Sequence, residues 1–394
     1  MSVLLGEPEE LAAARPLRPF DGMACEFLQA LSSRLLRDPE ARAHPDVMAF
    51  GYWCRRAHVD RLAHQFGTGP ARLGRGLAFH IAPANVPVNF AYSFAFSLLA
   101  GNANLVRVPS ADFPQVRILI RLASEVLSEP RFGPLKAMTA FVRYDKDEDI
   151  TARLSASCSV RIVWGGDSTI REVRRLVLPP RSVELVFPDR YSFCVLGPEQ
   201  VAEAGDEALT RLAESFYNDA FLMDQNACSS PHLVVWLGGD AQLGRAQDRF
   251  WQALASVAQR RYELAPVHAV DKFTSLCRLA IERPEVQRVQ RHGSWVHRLS
   301  LSALPAGLEQ LRGRFGQFFE WSTADLQALA SLVNERYQTL TYFGVSRERL
   351  LDFVLDNRLA GIDRIVAVGR ALDIDVVWDG QEVLRLLSRV IDVR

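Results

Sequence analysis

From Leu77 onward, short apolar runs alternate with helical ones, and this alternation restricts the fold more than anything else in the chain. The run LAFHI over 77–81 reads as a strand, and the turn PANVP over 83–87 follows it. An apolar stretch to Ala100 then has the character of a buried helix, and 104–108 reads as a second strand. A helix over 116–127, a strand over 140–143, a helix over 150–157 and a strand over 160–164 continue the pattern. Strands that alternate with helices imply a parallel sheet covered on both faces, because each crossover must bury a helix against the sheet. A strand over 193–196 closes this half. A helix over 202–217 leads towards Cys228, and 233–237 opens a second run of strands and helices that extends past Phe343.

Residues 1–70 are rich in Arg, Ala and Leu, with helical spacing at Phe27, Leu31, Leu35 and Leu36, and predict a helical lead-in. The expected organisation is therefore a helical segment over 1–70, a first α/β domain over 71–200, a second over 201–360, and a terminal segment over 361–394 that packs back or mediates oligomerisation. No Gly/Ser linker interrupts the chain, so the two domains should pack without a tether.

The 394 residues are 48% hydrophobic and 23% charged, enough for two substantial cores. Lys plus Arg equals Asp plus Glu at 46 each, which argues against nucleic acid or an acidic membrane surface as partner. Glu7, Glu9 and Glu10 precede any apolar stretch of signal-peptide length, so the expected location is the cytoplasm. The most apolar stretch, 86–100, carries Pro87, Asn89, Ser93 and Ser97 and is too short to span a bilayer. Cysteines 25, 54, 158, 194, 228 and 277 form no CxxC pair and no zinc-like spacing, which fits reduced thiols.

Cys228 stands apart from the other five because Gln225, Asn226, Ser229 and Ser230 surround it immediately before a strand. The other five read as inert core thiols. Asn85 lies between prolines, where an Asn often serves as a turn residue, yet a neutral amide can also stabilise an oxyanion. The segment 160–168 (VRIVWGGDS) runs from a strand through Gly165 and Gly166 to Asp167 and Ser168 at a helix start. Unpaired N–H groups there attract phosphate, although a plain β-α turn with Ser168 as N-cap has the same shape. Arg107 ends the second strand, where the residue pattern alone gives an exposed strand-end cation. His80 and His232 flank the two key stretches without making a triad.

In this order, PANVP and FLMDQNACSSP (221–231) resemble the aldehyde dehydrogenase superfamily, in which a PWNFP-like turn supplies an oxyanion-hole asparagine and a later cysteine carries the acyl group. The segments 82–110, VWGGD over 163–167 and GIDRIVAVGRALDIDVVWDGQEVLRLL over 361–387 narrow this to a resemblance to the LuxC-type long-chain acyl-CoA reductases, from about Phe79 onward. The resemblance implies an α/β, aldehyde-dehydrogenase-like fold with a Rossmann-type parallel cofactor sheet and a second α/β catalytic domain. It also implies NADPH-dependent reduction of a fatty acyl-CoA or acyl-carrier thioester to the aldehyde, a homo-oligomer, and an acyl-protein synthetase as partner.

Residue by residue, the resemblance makes Cys228 the nucleophile, and Asn85 with the Cys228 backbone N–H the oxyanion hole. Gly165, Gly166, Asp167 and Ser168 become the cofactor turn, Arg107 the 2'-phosphate ligand and Ser110 a ribose contact. Glu184 stands where many aldehyde dehydrogenases carry the general base of ELGG, but Val186 and Phe187 replace the glycines. Reduction needs no activated water, so a structural Glu184 stays open. Glu309 and Glu320 are both conceivable as the superfamily's later ribose-binding carboxylate. Two other classes remain: an acyltransferase or thioesterase using Cys228 without nicotinamide, and a non-catalytic subunit of the same fold.

Overall fold

The computed structural model describes residues 1–83 and 86–394. The chain forms two compact units, Met1–Asp189 with Ile374–Arg394, and Arg190–Asp373. Among the described residues, no helix is long and apolar enough to cross a membrane.

The first unit contains β1 (Ser2–Leu5), β2 (Arg72–Gly74), β3 (Leu77–Ile81), β4 (Ala103–Arg107), β5 (Thr139–Arg143), β6 (Val160–Gly165) and β7 (Val183–Pro188). Its six-stranded sheet has the order β1-β5-β4-β3-β6-β7. All neighbours are parallel except β1, which runs antiparallel to β5. The helices Asn89–Leu99 and Pro114–Leu127 cover one face together with Gly22–Leu35. On the other face Phe79, Ile81, Leu105, Val142 and Val163 pack with Ile170 and Val173. Both faces are therefore buried, which is why these strands are apolar runs rather than alternating ones. Ser388–Val390 returns to pair antiparallel with β2.

Strand order reverses at β3: the chain goes outward through β4 and β5, then comes back to place β6 on the other side. Such a switch point opens a crevice at the carboxyl ends of the two strands beside it, the usual ligand position in open α/β sheets. Both stretches singled out in this half of the sequence leave the sheet there. Ala82 and Pro83 follow β3, and Gly166 follows β6.

The second unit contains β8 (Tyr191–Leu196), β9 (Pro231–Leu237), β10 (Val286–His292), β11 (Val296–Leu301), β12 (Gln317–Thr323), β13 (Tyr337–Phe343) and β14 (Arg364–Ala367). Its sheet runs β10-β11-β12-β9-β8-β13-β14, parallel throughout except for the edge hairpin β10-β11. The strand read as closing the first half, 193–196, is thus part of β8, hydrogen-bonded between β9 and β13 of this second sheet. The helix expected over 202–217 is two helices, Pro198–Glu203 and Asp206–Phe221. Gly205 is the N-cap of the second, where the chain turns.

Candidate active site

Cys228 lies in the loop between the helix Asp206–Phe221 and β9, three residues before the strand, and is half-buried. Its carbonyl accepts a 2.6 Å hydrogen bond from the Ser192 hydroxyl on β8. Upstream, Asp224 and Gln225 both adopt positive φ, 52° and 58°, a left-handed conformation that non-glycine residues hold only when their surroundings enforce it. The surroundings do so through the buried Gln225 side chain. Its Nε2 donates to Pro231 O and Gln317 O at 3.2 Å each, and its Oε1 accepts from Gly316 N at 2.9 Å. Asp224 accepts a short hydrogen bond from the Tyr262 hydroxyl.

The loop that receives Gln225 is itself fixed. Lys272, buried in the helix Pro266–Glu282, donates to Trp295 O at 2.9 Å and to Phe315 O at 2.7 Å. Burial pushes its ammonium down to about 7, with Arg291 adding to the effect. Gly316 has φ 86°, and a Cβ there would meet Trp295 O at 2.2 Å, so only glycine fits. On the helix side, Ser230 Oγ donates to Asp219 O at 2.8 Å. The Asp219 carboxylate accepts from Gly369 N at 2.6 Å and from Ala371 N at 2.9 Å. Burial raises Asp219 to about 7 against those two N–H bonds. Sequence reasoning saw Gln225 only as part of a polar context and missed Asp219 and Lys272, because each acts through backbone groups distant in the chain.

The other cysteines have different environments. Burial raises the Cys25 and Cys158 thiols to about 11 and pushes Cys54 and Cys194 well above the usual range. Cys277 was read as a core thiol; it is exposed on the helix Pro266–Glu282. A half-buried thiol in a braced turn is chemically distinct from both kinds.

In the first unit, Arg107 ends β4 and pairs in register with Ile81 of β3, beside the switch point. Its Nε and Nη2 each lie 3.3 Å from Tyr144 O, and the guanidinium stacks 4.5 Å over the Tyr144 ring. Ser110 is exposed three residues on. Gly165 ends β6. The helix Asp167–Arg174 has Gly166, not Ser168, as its N-cap, with no side-chain cap on its first N–H groups. Gly166, Asp167 and Ser168 are exposed, and Asp167 puts a carboxylate in that first turn. The structure thus brings Arg107 and the Gly165 to Ser168 turn to the carboxyl ends of strands on either side of β3. Asn85 lies outside the described residues.

Glu184 is elsewhere. It lies at the amino end of β7, in register with Arg161 of β6. One of its oxygens accepts from Arg161 Nε and the other from Arg174 Nε, both at 2.8 Å. The two histidines are buried and neutral. His80 bridges Ser93 Oγ at 2.8 Å and Asn104 Oδ1 at 3.0 Å, and burial holds it down at about 4. His232 stacks on Tyr191 at 5.3 Å and is pushed down to about 3. Glu309 pairs with Arg336 at 3.1 Å. Glu320 is enclosed in the second unit's core, accepting from Arg298, Ser300, Trp236 and Trp251.

Comparison with known proteins gives a family and a fold. The model of the acyl-CoA reductase (LuxC) family matches residues 55–390. No curated protein matches at a significant level. An NAD-dependent benzaldehyde dehydrogenase from Corynebacterium glutamicum is 16% identical with a TM-score of 0.62, over 97% of this chain and 86% of that one. Proline utilization A from Bradyrhizobium japonicum is 17% identical with a TM-score of 0.63, over 97% of this chain but only 44% of that one. A betaine aldehyde dehydrogenase variant from Staphylococcus aureus is 11% identical with a TM-score of 0.57, over 87% and 74%. At such identities the likeness is one of fold, here the aldehyde dehydrogenase fold.

Proposed function

The chain belongs to the acyl-CoA reductase (LuxC) family, and from that premise we propose that it reduces a fatty acyl thioester, on CoA or on a carrier protein, to the aldehyde with NADPH through an acyl-cysteine. The observation that carries this reading is the setting of Cys228, a half-buried thiol on a turn braced by Gln225. The Sγ thiolate attacks the acyl carbon, and the bond to the CoA sulfur breaks as CoA leaves as its thiolate. The acyl group on Cys228 remains an activated thioester, so no energy is lost before reduction. A bound nicotinamide supplies the hydride. The oxyanion formed at the former carbonyl is held by the Asn85 amide and the Cys228 backbone N–H. Its collapse breaks the carbon–Sγ bond, releasing aldehyde and restoring the thiolate. Glu184, tied up by two arginines, is given no part.

The cofactor would be held by Gly165, Gly166, Asp167 and Ser168, with Arg107 and Ser110 on the neighbouring strand end. An uncapped helix start beside a switch point suits a pyrophosphate. Asp167 offsets part of that positive end, so Arg107 is the principal cation of the set. Mixing the protein with a fatty acyl-CoA and NADPH while following the nicotinamide absorbance tests the reaction. An acyl adduct without nicotinamide oxidation would instead identify an acyltransferase or thioesterase.

Two variants refine the assignment. Asn85→Ala should leave nucleotide affinity intact and lower turnover by about 10² to 10³, the usual loss for one oxyanion donor. A loss below about fivefold returns Asn85 to a turn role. Arg107→Ala should weaken NADPH by about 1.5 to 3 kcal/mol and leave NADH nearly unchanged, because only the 2'-phosphate can use the lost charge-assisted bonds. Equal losses in titrations of the two nucleotides would assign Arg107 to packing on Tyr144.

A further inference from the structure

The helix Pro266–Glu282 is apolar on the side that faces away from its own core. Lys272, Leu276 and Leu279 are buried on the inner side. Directly opposite, Val267 (60% exposed), Val270 (64%), Thr274, Cys277 and Ile281 (84%) form a continuous outward stripe at helical spacing. Phe273 flanks it, capped by Arg291 of the edge strand β10, and Val289 of β10 extends the same exposed surface. A helix with apolar residues on both sides is normally covered on both sides.

We propose that this stripe is the dimer interface of the protein, packed against the same helix of a second copy, antiparallel about a two-fold axis crossing between Thr274 and Ser275. The charges select that occupant. Asp271 and Arg278 lie on one flank of the stripe, at equal distances on either side of that midpoint. Neither has an ion-pair partner among the described residues. A two-fold rotation reverses the helix while keeping the flank, so Asp271 of each copy lies beside Arg278 of the partner subunit. Val267 and Ile281 stand almost symmetrically about the same point, so the ends of the stripe meet apolar groups. Self-complementarity of this kind is what an isologous contact requires. The inference is independent of the chemistry proposed above.

Sedimentation or light scattering on the purified full chain tests it. The wild type should be dimeric. Val270→Glu should weaken the dimer about thirtyfold or more, as expected for a charge buried within a contact. Asp271→Arg should weaken it by opposing two cations, and adding Arg278→Asp should restore it, a rescue that only this register gives. All these side chains are exposed, so circular dichroism and melting should be unchanged in the monomer. A monomeric wild type, whether the stripe is left bare or covered by another protein, overturns the proposal. So does a dimer indifferent to Val270→Glu, or a charge swap that fails to rescue.

Discussion

Cys228→Ala is expected to abolish both acyl-enzyme formation and aldehyde production, with turnover falling by at least about 10⁴, the scale of losing a covalent nucleophile. The other thiols cannot substitute. Cys25, Cys54, Cys158 and Cys194 are buried with their thiols raised, so the reactive thiolate is scarce in each. Cys277 is exposed on the single chain, but it lies in the stripe proposed as the dimer contact, on a helix face without the braced turn that fixes Cys228. Intact-protein mass spectrometry after mixing with a fatty acyl-CoA should show one adduct in the wild type, one in Cys277→Ser, and none in Cys228→Ala. An acyl group on any other cysteine, or undiminished turnover in Cys228→Ala, removes the mechanism.

The first sheet was legible because its strands are short continuous apolar runs separated by helices of ordinary length. LAFHI and VRIVWG lie side by side in it, an adjacency that the pattern alone does not give. What the pattern did not carry was membership. The run 193–196 looks like any other buried strand, and only hydrogen bonding to β9 and β13 places it in the second sheet. β1 was also missed: four residues, half of them exposed, give too little periodicity to separate from a helical lead-in.

Within the candidate site, the proposed nucleophile stands out in the sequence and the bracing around it does not. Positive φ at Asp224 and Gln225 opposes local preference and is imposed by contacts with Gly316, Gln317 and Tyr262, none of them near in sequence. The same limit applies to the carboxylates. Glu184 and Arg161 lie 23 residues apart and meet only through strand register. Glu320, from sequence a conceivable ribose ligand, is the sharpest case, since its partners come from two strands, β9 and β11, and the helix Leu243–Arg261.

Glu320→Ala should therefore be a stability variant, losing about 3 to 5 kcal/mol, the cost of breaking a buried ion pair from one side. The carboxylate accepts 2.8 Å and 3.2 Å bonds from Arg298, 2.6 Å from Ser300 Oγ, and 3.2 Å and 2.9 Å from the indoles of Trp236 and Trp251. Removing it strands the Arg298 guanidinium, 2% exposed, with Asp248 at 3.7 Å on the solvent side as its one remaining carboxylate neighbour among the described residues. Against a typical total of about 5 to 15 kcal/mol, the loss would bring the unit near its unfolding threshold. Trp236 and Trp251 flank the carboxylate, so their fluorescence in a urea titration should report this unit's transition moving to lower denaturant. Replacing both Glu320 and Arg298 by leucine should recover much of the loss, because an apolar pair leaves no unpaired charge. A Glu320→Ala protein with unchanged stability and weakened nucleotide binding would reverse the assignment and make Glu320 a cofactor ligand.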